Sequence, residues 1–390
     1  MKKELFNYDL PEELIAQTPL ANRDESRLLV CNAKNKSIAD CMFKNLDEVL
    51  NYEFQLQKNN AKLLLIANNS RVYPARVRIK RSSGGRGEVF FLERGEKTHY
   101  SCLLRPQSKL KIGEILYADL KEDIALFEIS HLNPPKVSII ANMSLDKILD
   151  LYGEMPLPPY IQRDPKKIIN YSKLDKERYQ TVYSNINHVG SSASPTAGLH
   201  FSPSILKKCE ENRIELSYVT LHVGLGTFLP VKSEDIESHE MHQEYYFISQ
   251  ETIKKISEYL SNGWPIVFVG TTSLRAVESY FQLLNLELGK NFILNNKNIN
   301  QLENNLNKFS DKWHTTNIFI HPKNENSIFV PTIGNAIITN FHQPESTLAM
   351  LIAALMGMKF WKQFYSYAIT NKYRFFSYGD SSLLIFGEQN

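Results

Sequence analysis

The chain has 390 residues, 43% hydrophobic and 22% charged, enough to bury a sizeable core and to divide into two or three domains. No apolar run approaches the roughly 20 residues needed to cross a bilayer, and Met1-Lys2-Lys3-Glu4 leads into no apolar signal region, so a cytoplasmic protein is expected. Lys and Arg number 45 against 42 Asp and Glu, a net of +3, which admits a nucleic-acid partner without the excess of a dedicated DNA binder.

The predicted elements begin with a helical segment over 11–16, a short strand at 28–30 and a buried strand at 63–67. Short β-rich runs follow at 72–79, 88–92, 100–104, 114–118, 124–129 and 136–141, divided by Gly, Pro and Asn turns. Runs at this spacing with no helical period between them predict a small all-β barrel. Gly153-Glu154-Met155-Pro156-Leu157-Pro158-Pro159-Tyr160 is an extended link out of it. After the link, a strand at 214–223 ends in Gly-Leu-Gly, strands at 265–269 and 335–341 end in polar turns, and helices over 274–283 and 347–358 follow those two. Such units build a mostly parallel sheet with covering helices. The expectation is an α/β domain from residues 1–65 and 155–390 and a β-barrel domain at 66–150, with a surface insertion near 284–312.

Parallel α/β sheets bind ligands where strands end and helices begin, because backbone N–H groups there are unpaired and the helix dipole favours anions. Thr271-Thr272-Ser273, with Arg275 one turn on, occupies such a junction and suits a carboxylate or phosphate; Ser273, like Ser346, equally suits a helix N-cap. The loop 191–201 packs small residues, including Thr196 and Gly198, ahead of His200, and reads as a ligand loop or as a surface loop entering a helix at Ser204. His222 stands at an apolar strand end before Gly224 and Gly226, but Leu229 replaces the third glycine of a dinucleotide fingerprint. His239-Glu240-Met241-His242 has the wrong spacing for a zinc helix, and Cys31, Cys41, Cys102 and Cys209 form no metal motif, so no metal is implied. Residues 373–380 interleave aromatics with Arg374 and end in Asp380, suiting either base stacking or a last strand packed inward. Arg76, Arg78, Lys80, Arg81 and Arg86 form a basic cluster on the barrel, either facing phosphate or merely solvated.

In order along the chain, Leu10-Pro11-Glu12-Glu13-Leu14-Ile15-Ala16-Gln17, Arg23-Asp24-Glu25-Ser26-Arg27-Leu28, the Gly153–Ile161 segment at 153–161, Glu177-Arg178-Tyr179-Gln180-Thr181-Val182-Tyr183 and the stretches 195–201, 221–228, 269–273, 339–342 and 373–380 resemble the S-adenosylmethionine:tRNA ribosyltransferase-isomerase family. The resemblance implies a transferase of queuosine biosynthesis that converts 7-aminomethyl-7-deazaguanine in the anticodon region of tRNA to epoxyqueuosine. It also implies that S-adenosylmethionine is a consumed co-substrate, that adenine and methionine are released, and that no bound cofactor is needed. The chain is expected to act as a monomer. An S-adenosylmethionine-dependent RNA methyltransferase and a non-catalytic RNA-binding protein are the alternatives. Asn69 and Asn317 stand where the family usually has Asp, and Ser194 where it usually has Ala.

The expected catalytic residues are His222, His200 and Asp380. The expected substrate-binding residues are Thr196, Gly198, Gly224, Gly226, Thr271, Thr272, Ser273, Arg275 and His342. Arg76, Arg105, Lys109, Arg163 and Arg374 are expected to meet tRNA.

Overall fold

The computed structural model describes residues 1–92, 97–107, 110–119, 124–163, 168–224, 231, 233–288 and 308–387. The predicted helix over 11–16 is only a single 3-10 turn, Glu12–Leu14, because Ile15 leaves it to bridge with Phe375. The strands β1 (Arg27–Asn32) and β2 (Ser37–Met42) form a hairpin, and helix α1 (Leu46–Phe54) leads to the fully buried β3 (Leu63–Asn68). The predicted run at 72–79 is broken: β4 (Arg71–Val72) stops before Pro74, whose missing N–H cannot join a ladder, and β5 (Arg76–Arg81) starts after it.

Five more strands follow, β6 (Arg86–Phe91), β7 (Tyr100–Arg105), β8 (Ile115–Ala118), β9 (Ala125–Leu132) and β10 (Pro135–Ile139). They pair antiparallel in the order β5-β6-β7-β10-β9-β8, and β8 returns to β5, so the sheet closes into a six-stranded barrel. Alternate residues such as Val77 and Ile79, Leu104 and Cys102, and Phe127 and Ile129 fill its interior. Helix α2 (Leu145–Tyr152), capped by Ser144, adds Leu145, Ile148 and Leu149 to that core. β11 (Gly153–Glu154) pairs on β5 as the chain leaves.

Helix α3 (Ile168–Arg178) and the short β12 (Val189–Ser191), which pairs with β4, precede α4 (Pro203–Glu211) and β13 (Ile214–Leu221). The rest runs β14 (Glu244–Ile248), α5 (Gln250–Ser261), β15 (Ile266–Val269), α6 (Thr271–Leu288), β16 (Trp313–Thr316), β17 (Ala336–Asn340), α7 (Thr347–Met356), α8 (Met358–Thr370) and β18 (Ser381–Ile385). The large sheet has the order β16-β14-β13-β3-β15-β17-β18-β1-β2. Its four middle strands, β13, β3, β15 and β17, are mutually parallel, while antiparallel pairs finish both flanks. One apolar core joins this sheet to α5, α6, α7 and α8, and a second joins its other face to α1 and α4. The architecture is α/β with an inserted barrel.

The predicted helix over 347–358 divides at Gly357, whose φ of +78° lies in a region open chiefly to glycine. Residues 373–380 are a tight turn with buried aromatics rather than a strand. Because the four middle strands run the same way, Asn68, Leu221, Val269 and Asn340 all end at one edge of the sheet. β18 and β1 begin at that edge.

Candidate active site

At this carboxyl edge Gly270, with φ +90°, turns the chain from β15 directly into α6. The helix starts earlier than the pattern of apolar residues suggests, so Thr271, Thr272 and Ser273 form its first turn. Ser273 therefore caps nothing; its hydroxyl donates to the Val269 carbonyl, 2.8 Å away. Ser346, by contrast, does cap α7 by accepting the Ala349 N–H. Thr272 Oγ1 is buried without a partner among the described residues, and so is Ser194 Oγ. Both residues line one small cavity with Thr196, Thr271, Thr339 and His342. Two buried hydroxyls lacking partners beside the free N–H groups of an 18-residue helix make a ready anion site.

A second cavity adjoins the first through shared walls at Thr196, His342 and Leu348. Its other lining includes Tyr160, Asn340, Gln343, Phe376 and Ser377. The Tyr160 and Phe376 rings lie 4.6 Å apart, and the Tyr160 hydroxyl meets Ser377 Oγ at 2.6 Å. Phe376 has φ +69°, a strained conformation for an aromatic residue that the turn around it must hold. His342 stands between the two cavities. Its Nε2 meets Thr339 Oγ1 at 2.9 Å, its N–H donates to the Tyr365 hydroxyl, and burial pushes its imidazole down to about 3. It is neutral near pH 7.

The other predicted site residues divide sharply. His200 is buried, with Nδ1 2.8 Å from Ser26 Oγ and Nε2 3.0 Å from the Asn340 amide. Burial, with Arg23 and Arg374 nearby, pushes it down to about 3. Asp380 accepts the backbone N–H groups of Arg27 and Arg374 at 2.9 and 2.8 Å, while burial raises its carboxyl above the usual range. Arg275 is buried against Glu244 at 2.6 Å, and Glu244 also accepts the Gly224 N–H. Gly198 makes room for protein, since a Cβ there would stand 2.0 Å from the Tyr183 hydroxyl. Gly226 and Lys109 lie outside the described residues.

His222 projects from the end of β13 on the side away from the Val223 that lines the first cavity. Its Nδ1 meets Ser70 Oγ at 2.8 Å, and burial pushes it down to about 4, with His188 contributing. Its ring stacks on Trp313 at 4.8 Å.

The profile of the family described as queuosine biosynthesis protein matches residues 3–384. The chain belongs to this family. A relative from Thermosipho melanesiensis, called S-adenosylmethionine:tRNA ribosyltransferase-isomerase, is 38% identical over 98% of this chain and all of its own. One of the same name from Clostridioides difficile is also 38% identical, over 98% of this chain and all of its own. A crystal structure of S-adenosylmethionine tRNA ribosyltransferase from Thermotoga maritima is 27% identical, covering 97% of this chain and 99% of that one, with a TM-score of 0.48. The architecture above stands on this chain's own strand pairing.

Within this member of the queuosine family, the cations expected to meet tRNA are mostly engaged inside the protein. Arg163 is half-buried in a two-point pair with Asp175, and Arg374 donates to the Thr18 carbonyl. Arg76 faces Glu88. Arg105 is 70% exposed and only loosely paired, 3.6 Å from Glu88. Sequence reasoning missed Ser194, Tyr160, Glu244, His188 and Trp313. Of these, only Ser194 carried a local signal, a hydroxyl inside a small-residue loop. Among the described residues no group of three or more His, Cys, Asp or Glu is placed to hold a metal, and no helix is long and apolar enough to cross a membrane.

Proposed function

We propose that this chain transfers and isomerises the ribosyl moiety of S-adenosylmethionine onto 7-aminomethyl-7-deazaguanine in tRNA, releasing adenine and methionine. Family membership and the names of full-length relatives support the reaction. The observation that carries the site is the pair of unpartnered buried hydroxyls, Thr272 and Ser194, at the start of α6. The methionine carboxylate binds there, accepting from the helix N–H groups and the two hydroxyls. Adenine lies against Tyr160 and Phe376, and the sulfonium between the two ends faces aromatic rings that favour a cation.

This arrangement sets the ribose methylene next to sulfur beside His342. A neutral imidazole that donates Nε2–H to Thr339 leaves Nδ1 to take the methylene proton, which the adjacent sulfonium acidifies. Loss of that proton starts sugar opening and expulsion of adenine. His222 is the second acceptor and takes the proton that the aminomethyl group must lose before it attacks. His200 and Asp380 hold the walls: one ties β1 and β17 to the 191–201 loop, the other fixes the 374–380 turn. Arg105 is the outward cation for tRNA phosphate. We place the division between α/β and barrel units at 1–65 with 155–390 and at 66–150.

Incubating the chain with labelled donor and base-modified tRNA tests this reading. Adenine together with methionine is the expected outcome. S-adenosylhomocysteine would indicate methyl transfer instead, and RNA binding without turnover a non-catalytic module.

A further inference from the structure

Trp313 lies on β16, at the edge of the large sheet, and has 46% of its surface exposed. A tryptophan this open usually lacks organised surroundings, but this one is braced on two sides. The His222 ring stacks on it at 4.8 Å with 23° between planes, and the His188 ring meets it edge-on at 6.1 Å. Both imidazoles are anchored through Nδ1, His222 on Ser70 Oγ and His188 on Thr220 Oγ1, each at 2.8 Å. The Thr220 hydroxyl in turn donates to Asn69 Oδ1 at 2.7 Å, so Thr220 accepts the His188 Nδ1–H and that ring's tautomer is fixed. Gly190 closes against His222, where a Cβ would come within 2.7 Å of Nε2.

In the next rung of the sheet Tyr245 is 57% exposed, on the same face as Phe247 and therefore as Trp313. Arg71, paired beside Val189, reaches Ser184 Oγ and has no carboxylate partner among the described residues. The result is a rigid, open aromatic surface with neutral imidazoles beneath it and a cation at its margin. Such a surface suits an unstacked nucleobase and its phosphate, because every base offers a π-face and RNA is read mainly at unpaired bases.

We propose that Trp313, braced by His188 and His222, is a stacking platform for an unpaired nucleobase of the tRNA. This rests on the reading of tRNA as substrate. From Gly190 under the platform to Ser194 in the donor cavity is four residues, at most about 14 Å of chain. A nucleotide and the transferred ribose together bridge that separation. The platform thus positions the acceptor base near His222 while the donor occupies the other side of the β13 tip.

The test uses the full chain with an anticodon stem–loop RNA carrying the aminomethyl-deazaguanine, and the same RNA abasic at that position. Trp313→Ala and Trp313→Leu should each weaken RNA binding by about 10- to 100-fold, the loss usual for one stacked base, with the KM for S-adenosylmethionine unchanged. The leucine variant keeps packing on His222, so a shared loss reports the ring's π-face rather than misfolding. RNA should quench tryptophan fluorescence in the unaltered chain, and neither the abasic RNA nor the Trp313→Leu chain should show that quench. Unchanged RNA affinity in Trp313→Leu, or equal quenching by abasic RNA, overturns the platform. Base-dependent quenching without release of adenine would sink the transferase reading and leave the platform standing.

Discussion

The two edges of the large sheet are hollow in different ways. At the amino edge, where β15 and β17 begin, lies a cavity of 720 Å³ walled by Trp264, Ile266, Phe329, Val330, Leu355 and Phe386. At the carboxyl edge the two adjoining cavities are only about 30 Å³ each. Size alone favours the amino edge, but among the described residues none of the side chains lining it carries a buried polar atom without a partner. Its nearest buried acid, Glu278, is satisfied by the N–H and hydroxyl of Thr332. The carboxyl edge instead holds hydroxyls with no partner and an imidazole between two cavities. A protein tolerates an unsatisfied buried polar group only where something repays its desolvation. Partnerless hydroxyls that line a cavity at the start of a long helix therefore mark the candidate site where volume does not.

The sharpest test of that contrast is His342→Gln. It should lower turnover by about 100- to 10,000-fold, the usual weight of a positioned acid or base, while donor binding and folding persist. Exchange of the ribose methylene hydrogen with solvent should vanish with it; persistent exchange would remove His342 from the step. Arg275→Met should instead act on stability, since it leaves Glu244 buried without its cation, costing about 3–5 kcal/mol in urea unfolding. Wild-type stability in that variant would mean Glu244 and Arg275 contribute nothing to holding the cleft. Thr272→Val should raise the donor KM about 10- to 100-fold, the cost of one hydrogen bond to a charged group, and leave unfolding near wild type. A comparable change from altering the amino-edge wall, for example Val330→Ala, would break the comparison.

The edges should also titrate in opposite senses. Burial pushes Glu278 up to about 7, above its unfolded value near 4.5. The folded state then holds a proton the unfolded chain has lost, so this contribution is full below pH 4.5 and disappears as pH rises through 7. His200 and His342 are pushed down to about 3 from 6.5, so their contribution is full above pH 6.5 and falls as pH drops towards 3. Each group should contribute a slope of about 1.4 kcal/mol per pH unit inside its window. Glu278→Gln should therefore steepen the net fall in stability on acidification between pH 6.5 and 4.5, and an unchanged profile would refute the assignment. The smallest expected effect is on the barrel. Arg105→Ala should weaken tRNA binding a few-fold and flatten the salt dependence by about one unit of slope, and an unaltered slope would place the phosphates elsewhere.

Periodicity and turn chemistry made much of this legible in the residues. Alternating apolar runs announced the barrel strands, and strand–polar turn–helix units announced the α/β sheet, because both patterns are local. Thr271, Thr272, Thr196 and His342 were visible for the same reason, as polar residues at predicted strand ends or in a small-residue loop. What stayed hidden was assembled across the chain. Arg275 looks like a ligand residue from its position alone, but folding brings Glu244 from β14 against its Nη1, while its Nε and Nη2 stay buried without a partner among the described residues. Gly198 looks like open space until Tyr183 fills it, and Arg163 looks like a surface cation until Asp175 pairs with it. His188 and Trp313 carry no local signal, since 125 positions separate them and only the pairing of β14 with β16 and of β12 with β4 sets them together. The sequence by itself determined the barrel strands, the strand–turn–helix units of the sheet and which of those strand ends are polar, because these depend on neighbours a few residues away. The tertiary structure decided which polar groups are consumed by one another and which remain open to a substrate, because hydrogen-bond satisfaction is settled by contacts between distant segments.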